Sequence, residues 1–230
     1  MLFRQLFEKE TSTYTYLLAD EKTREAVLID PVLEMVERDV AYIQELGLDL
    51  VWILDTHVHA DHITGAAALK NHFPQARYAL GKNSKLETAD TLLGHKDEVF
   101  VGGIQIVVLE TPGHTDNSVS YLADNMLFTG DTVLIRGCGR TDFQSGSNHE
   151  LWTAIHKHIF TLPDEIFIYP GHDYKGFTVS TVGEEKKYNP RLRLENTQEQ
   201  FADIMNNLNL PYPNKIDEAL PANMRGGEVN

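Results

Sequence analysis

Directly after an apolar run, Leu50-Val51-Trp52-Ile53-Leu54, the chain reads Asp55-Thr56-His57-Val58-His59-Ala60-Asp61-His62. His57 and His59, two apart in an extended stretch, project to the same side, and Asp61 and His62 bend back as a helix begins. A lone histidine is ordinarily a surface residue or a satisfied core residue. Three histidines and an aspartate within six positions, at the mouth of a buried strand, point instead to a metal. Three further positions share this placement. His114 follows Thr111-Pro112-Gly113, Asp131 follows Phe128-Thr129-Gly130, and His172 follows Tyr169-Pro170-Gly171. In each case an apolar stretch ends in a turn where glycine lets the backbone bend and approach closely, and a ligand-type side chain comes next. Loop residues with no shared purpose are the bland alternative, and four separate strand ends each delivering a ligand argue against it.

The elements that must position these residues are legible as hydrophobic periodicity. Leu2–Phe7, Ser12–Leu18 and Ala26–Ile29 carry the aromatic and β-branched alternation of a strand meander. Met35–Gly47 places Val36, Val40, Ile43 and Leu46 at helical spacing and stops at a glycine. Leu50–Leu54 is apolar throughout, as in a strand buried on both faces. Thr64–Phe73 and His149–Phe160 read as helices. Arg77–Leu80, Ile104–Leu109, Val119–Leu122, Met126–Phe128 and Ile166–Tyr169 read as strands. Strands, then helix and strand in alternation, predict an α+β chain in which two sheets lie between outer helices, an αββα sandwich. From about Phe177 the texture turns polar and helical, then to a tail punctuated by Pro211, Pro213 and Pro221. We therefore expect a core over residues 1–176 and a helical or irregular extension over 177–230 packed on the same domain.

Composition narrows the partners. The 230 residues carry 34 acidic against 20 basic side chains, a formal net charge of −14, so no basic surplus exists to neutralise nucleic-acid or anionic-membrane phosphates. One cysteine excludes an intramolecular disulfide framework and suits a reducing compartment. No apolar run approaches the roughly 18 residues that span a bilayer. The opening MLFRQLFEKETSTYTY has neither a signal-peptide core nor an Arg/Ser-rich leader composition, so a cytoplasmic location is expected.

The pattern H-x-H-x-D-H, followed by a distant His, Asp and His, resembles the metallo-β-lactamase fold superfamily over about Phe3 to Pro190. That resemblance is specific for a fold and poorly specific for chemistry, since members hydrolyse esters, lactams and phosphodiesters and also perform redox reactions. Two flanking segments narrow it: Gly137-Cys138-Gly139-Arg140-Thr141-Asp142-Phe143-Gln144, and Tyr169 to Val182 with Glu184-Glu185 and Asn189-Pro190-Arg191-Leu192. Together they resemble the glutathione persulfide dioxygenases, also called sulfur dioxygenases. The resemblance implies oxidation of glutathione persulfide by O2 to sulfite and glutathione at one Fe(II) per chain, held by His57, His114 and Asp131. Three protein ligands on one face leave positions for both a persulfide sulfur and O2. His59, Asp61, His62 and His172 would then orient the ligands through hydrogen bonds, or hold a latent second metal as in dinuclear relatives. The alternative enzyme is a dinuclear zinc S-acylglutathione hydrolase of the glyoxalase II type, although the tail beyond Phe177 is short for that family's thioester-binding domain. A sensor or sulfur carrier on the same fold is a third reading. Relatives commonly dimerise, which leaves a homodimer open.

Arg140 is the candidate substrate contact, because a guanidinium clamps a carboxylate bidentately; a plain salt bridge is its competing role. Tyr174 is placed to bond or pack against the ligand, with a core role as the alternative. Cys138, between two glycines, reads as a small structural residue rather than a sulfur carrier. His72, His95, His149, His156 and His158 follow no strand-end pattern, and Trp152 with Ile155 and Ile159 reads as a core stripe.

Overall fold

Strand alternation sorts the side chains before any tertiary contact is considered. In β2 (Thr13–Ala19), Tyr14, Tyr16 and Leu18 face one way while Leu17 and Ala19 face the other, and in β3 (Glu25–Ile29) Val27 and Ile29 oppose Ala26 and Leu28. Both faces are apolar, so both must be covered. The computed structural model, which describes residues 1–213 and 215–229, satisfies this with two six-stranded sheets packed face to face.

The first sheet has the order β1 (Leu2–Glu8), β2, β3, β4 (Asp49–Leu54), β5 (Arg77–Gly81) and β6 (Thr91–Leu93). Its β1–β3 meander is antiparallel, and from β3 to β6 the pairing is parallel. The second runs β12 (Ser180–Thr181), β11 (Phe167–Pro170), β10 (Met126–Gly130), β9 (Val119–Ala123), β8 (Ile104–Glu110), β7 (Glu98–Val101), antiparallel except for the β10–β11 pair. Between the sheets lie Tyr16, Leu18, Val27, Ile29, Leu54, Ile106, Tyr121 and Phe128.

Helices α1 (Val36–Glu45) and α2 (Ala66–His72) cover the outside of the first sheet through Val40, Ile43 and Leu69. Helix α3 (Asn148–Ala154) runs into a π turn over Ile155–Ile159, and α5 (Gln198–Asn206) lies beside it; together they cover the second sheet through Leu151, Ile155, Phe201 and Met205. The layering is the expected αββα, and the chain is an α+β sandwich.

Several elements depart from the periodicity reading. β6, β7 and β12 are additional strands, of three, four and two residues, too short for alternation to register. The helix predicted over His149–Phe160 changes hydrogen-bond register at Ile155. Beyond α4 (Val182–Tyr188), the proline-punctuated tail contains a further helix, α6 (Ile216–Asn223), with Pro221 inside it. Val182, Leu192, Phe201 and Met205 share a buried cluster with Leu127 and Ile168 of the second sheet.

Candidate metal centre

Four strands deliver the ligand-type residues from their C-terminal ends: β4 leads into His57–His62, β8 precedes His114, β10 ends beside Asp131 and β11 beside His172. Two glycines allow the strand ends to meet. Gly130 sits at φ +49°, and a Cβ there would lie 2.3 Å from Thr56 Oγ1. A Cβ at Gly139 would lie 2.7 Å from the His114 ring. Any side chain at either position would push apart two of the segments that converge.

The result is a trio. One ligand atom from each of His57, His114 and Asp131 lies within 4.8 Å of the other two. Each of the three is oriented from behind. The single hydroxyl proton of Thr56 goes to Asp30 Oδ2 at 2.9 Å, so at 3.0 Å its oxygen accepts from His57 Nδ1–H and leaves His57 Nε2 as the ligand atom. His114 Nδ1–H donates to the Arg140 carbonyl at 2.6 Å, freeing Nε2, which lies 3.6 Å from Asp131 Oδ2. Asp131 Oδ1 is held by His172 Nδ1 at 2.7 Å. Burial, reinforced by His59 and His114, drives His57 well below the usual imidazole range, toward the neutral form that a metal needs. Burial works against the charge on Asp131, but His172, His114 and His57 outweigh it and hold the carboxyl below the usual carboxylate range.

The other four ligand-type residues are arranged differently. His172 spends both nitrogens on carboxylates, with Nε2 2.8 Å from Asp61 Oδ2, and donates to both only as an imidazolium. Burial opposes that charge; Asp131 and Asp61 override it and raise the group well above its ordinary value. His62 Nδ1 also reaches Asp61 Oδ2, at 2.9 Å. His59 Nε2 lies 3.1 Å from Asp30 Oδ1, and despite the cost of burial Asp30 raises this imidazole to about 9. Two buried nitrogens, His59 Nδ1 and His62 Nε2, have no hydrogen-bond partner among the described residues. Such orphans fit a site that receives a further group, and His59, Asp61 and His62 form a second trio with ligand atoms within 4.8 Å.

A cleft of about 530 Å³ opens over the first trio, lined by His114, Asp131 and His172 at its base. Arg140 is in its wall, but its guanidinium is already engaged: Nε and Nη2 grip Asp142 at 2.7 and 2.8 Å, Nη1 donates to the Pro211 carbonyl, and the group stacks 4.5 Å from the Phe143 ring. Tyr174, 72% exposed, lies over the His172 ring in parallel at 6.1 Å, so it is a wall residue and not a core tyrosine. Three further cations line the cleft: Arg136, which pairs with Glu184 and Glu185, and Arg191 and Lys175. Arg191 donates to the Cys138 carbonyl at 2.9 Å and, like Lys175, has no carboxylate partner among the described residues. The signal for Arg191 was its place in Asn189-Pro190-Arg191, two residues from the buried Asn189. Cys138 is buried against Met205, and burial pushes its thiol up to about 11, an unreactive state. Away from the cluster, His95 and His158 lie against each other with their rings tilted, and His156 stacks on Trp152.

Over residues 9–172 the chain matches the metallo-beta-lactamase superfamily, and it belongs to that superfamily. Mouse (Mus musculus) persulfide dioxygenase ETHE1, mitochondrial, is 50% identical to it over 229 residues, 99% of this chain and 89% of the mouse protein. The human (Homo sapiens) protein of that name matches with the same identity and coverage. A crystal structure of ETHE1 from Myxococcus xanthus superposes with a TM-score of 0.96 at 53% identity, covering 99% of this chain and 100% of the other. Within the superfamily, this chain is a member of the ETHE1 persulfide dioxygenase family. No helix among the described residues is long and apolar enough to cross a membrane.

Proposed function

We propose that this protein is a persulfide dioxygenase that converts glutathione persulfide, O2 and water to glutathione and sulfite, with His57, His114 and Asp131 holding one Fe(II). The observation that carries the reading is the trio itself, two imidazoles and one carboxylate at the base of an accessible cleft, in a chain that matches such enzymes over 99% of its own length. Two histidines and a carboxylate on one face are the donor set suited to non-haem Fe(II), which when bound supplies the redox chemistry and open positions for the two reactants.

The chain's own residues do the rest. His172 and Asp61 fix the Asp131 carboxylate so that Oδ2 turns toward His114, and Thr56 and the Arg140 carbonyl lock the two imidazole rings. Substrate recognition faces an electrostatic problem, because the chain carries −14 and a persulfide of glutathione is itself an anion. Arg191 and Lys175, with no carboxylate partner among the described residues, supply the local positive field that the whole molecule lacks. Leu134, Ile135, Leu210 and Pro211 give the same cleft an apolar wall that keeps bulk water from the reacting sulfur. The buried, lone cysteine suits a reducing cytoplasm.

A second reading, the dinuclear zinc S-acylglutathione hydrolase, draws on the second trio and its orphaned nitrogens. Against it stands His172, both of whose nitrogens are committed to carboxylates. Anaerobic purification, metal analysis and an oxygen electrode separate the two. Iron at one per chain with persulfide-dependent O2 uptake and stoichiometric sulfite is the expected result. Two zincs per chain with S-lactoylglutathione cleavage and no O2 uptake would overturn it.

A further inference from the structure

The segment His59–Thr64 carries Asp61 and His62 yet lies outside every helix and named strand. His59, His62, Ile63 and Thr64 are buried, so their backbone polar groups need partners from elsewhere. One side chain, distant in sequence, meets three of them. Asn223, at the end of α6 and 3% exposed, accepts from the Thr64 amide at 2.9 Å through Oδ1. Through Nδ2 it donates to the carbonyls of His59 at 2.9 Å and His62 at 2.8 Å. An amide side chain can offer an acceptor and two donors at once, and here all of them go to this one segment.

The helix that presents Asn223 is seated for the purpose. Ala219 and Ala222 pack on Ile63, the Gly226 carbonyl accepts from the Ala67 amide at 3.2 Å, and Gly227 comes so close that a Cβ there would lie 2.4 Å from the Thr64 carbonyl oxygen. From this segment the connections run on to the metal trio. Asp61 Oδ2 accepts from His172, and His172 holds Asp131 Oδ1.

We infer that Asn223 is a positioning residue that sets the metal affinity of the centre from the far end of the chain, by holding the His59–Thr64 turn that aims Asp61 at His172 and so orients Asp131. The inference rests on the trio binding a metal ion and does not depend on which reaction follows.

The test is metal binding by the full-length chain, with Co(II) as the probe under anaerobic conditions. Asn223→Ala removes all three bonds. Asn223→Asp keeps the size and the acceptor while turning a carboxylate toward two carbonyls, so it serves if the alanine variant fails to fold. Both are expected to weaken Co(II) binding by roughly 10-fold, in line with other outer-shell substitutions, and to shift the visible bands of the bound ion. In the iron enzyme kcat should fall while KM for the persulfide stays within about two-fold, because Arg191 and Lys175 lie on other segments. Exposed Glu218→Ala on the same helix is the control and leaves all these values unchanged. Folded Asn223 variants with wild-type Co(II) affinity and spectrum would overturn the inference, even if they melt at lower temperature. A wild-type chain that binds no Co(II) would overturn the metal centre itself, and this inference with it.

Discussion

Seven ligand-type side chains gather at one rim of the sandwich, but they form two regions of opposite character. His57, His114 and Asp131 are held from behind and keep a ligand atom each turned toward a common point. Asp61 and His172, with His62 beside them, are largely satisfied by one another. The same residue types therefore do different work according to where their second polar atom goes. A histidine whose outer nitrogen finds a neutral oxygen is left as a ligand; one placed between two carboxylates is turned into a cation that ties them together.

The contrast is broken most severely by removing a ligand from the first region. Asp131→Asn should reduce bound iron and O2 uptake to below detection, read by metal analysis and an oxygen electrode, with the fold retained by circular dichroism. Removing a tie from the second region should cost less. Asp61→Asn is expected to lower metal affinity by about 10- to 100-fold, and retention of tight binding would mean that the second region is not supporting the first.

The cleft wall offers a smaller test of the same logic, since Arg191 has no carboxylate partner among the described residues while Arg140 is already engaged with Asp142 and Pro211. Arg191→Ala should raise KM for glutathione persulfide by about 10-fold with little change in kcat, the scale of one charge-assisted hydrogen bond. Arg140→Ala should also raise KM more than it lowers kcat, but by less. Steady-state kinetics with both variants decides the order, and an equal or larger effect at Arg140 would show that Asp142 releases it to substrate.

Asp39 shows what burial does without such partners. Its side chain is buried on α1 with Arg38 its one charged partner among the described residues, and burial raises its carboxyl to about 6. A raised value means that the folded state takes up the proton more readily. The stabilisation is thus present below the ordinary value near 3.8 and is lost as pH rises through about 6. Urea melts should show wild type gaining on Asp39→Asn by about 2 to 3 kcal/mol as pH falls from 7 to 4, from a shift of about two units at roughly 1.4 kcal/mol per unit. A pH-independent difference would show that Asp39 titrates normally.

Much of this was visible in the amino-acid order because the chemistry sits where periodicity ends. An apolar strand followed by a glycine turn and a histidine or aspartate is a local pattern that singles out His114, Asp131 and His172, and His57 stands out by the density of ligand-type residues that follow the Leu50–Leu54 strand. The division of those residues into two regions was not local: it depends on Thr56 meeting Asp30, and on Asp61 meeting His172 across 111 residues. Arg140 illustrates the same limit from the other side. Its type suggested a carboxylate clamp, and the carboxylate it clamps in the structure is Asp142, two residues away. Arg191 had only its place in the Asn189-Pro190-Arg191-Leu192 segment and Asn223 no pattern at all, since their roles come from what they face after folding. The strands β6 and β7 escaped because three or four residues are too few to show a period.

Position 140 meets the centre twice, once through its carbonyl, which secures the His114 ring, and once through its side chain, which borders the cleft. Every amino acid has that carbonyl. Evolution or an engineer can therefore exchange the side chain at 140 to suit a bulkier or differently charged thiol carrier and leave the tautomer of His114 untouched. The residue just before it, Gly139, has no such freedom: there even a methyl group would strike the ring.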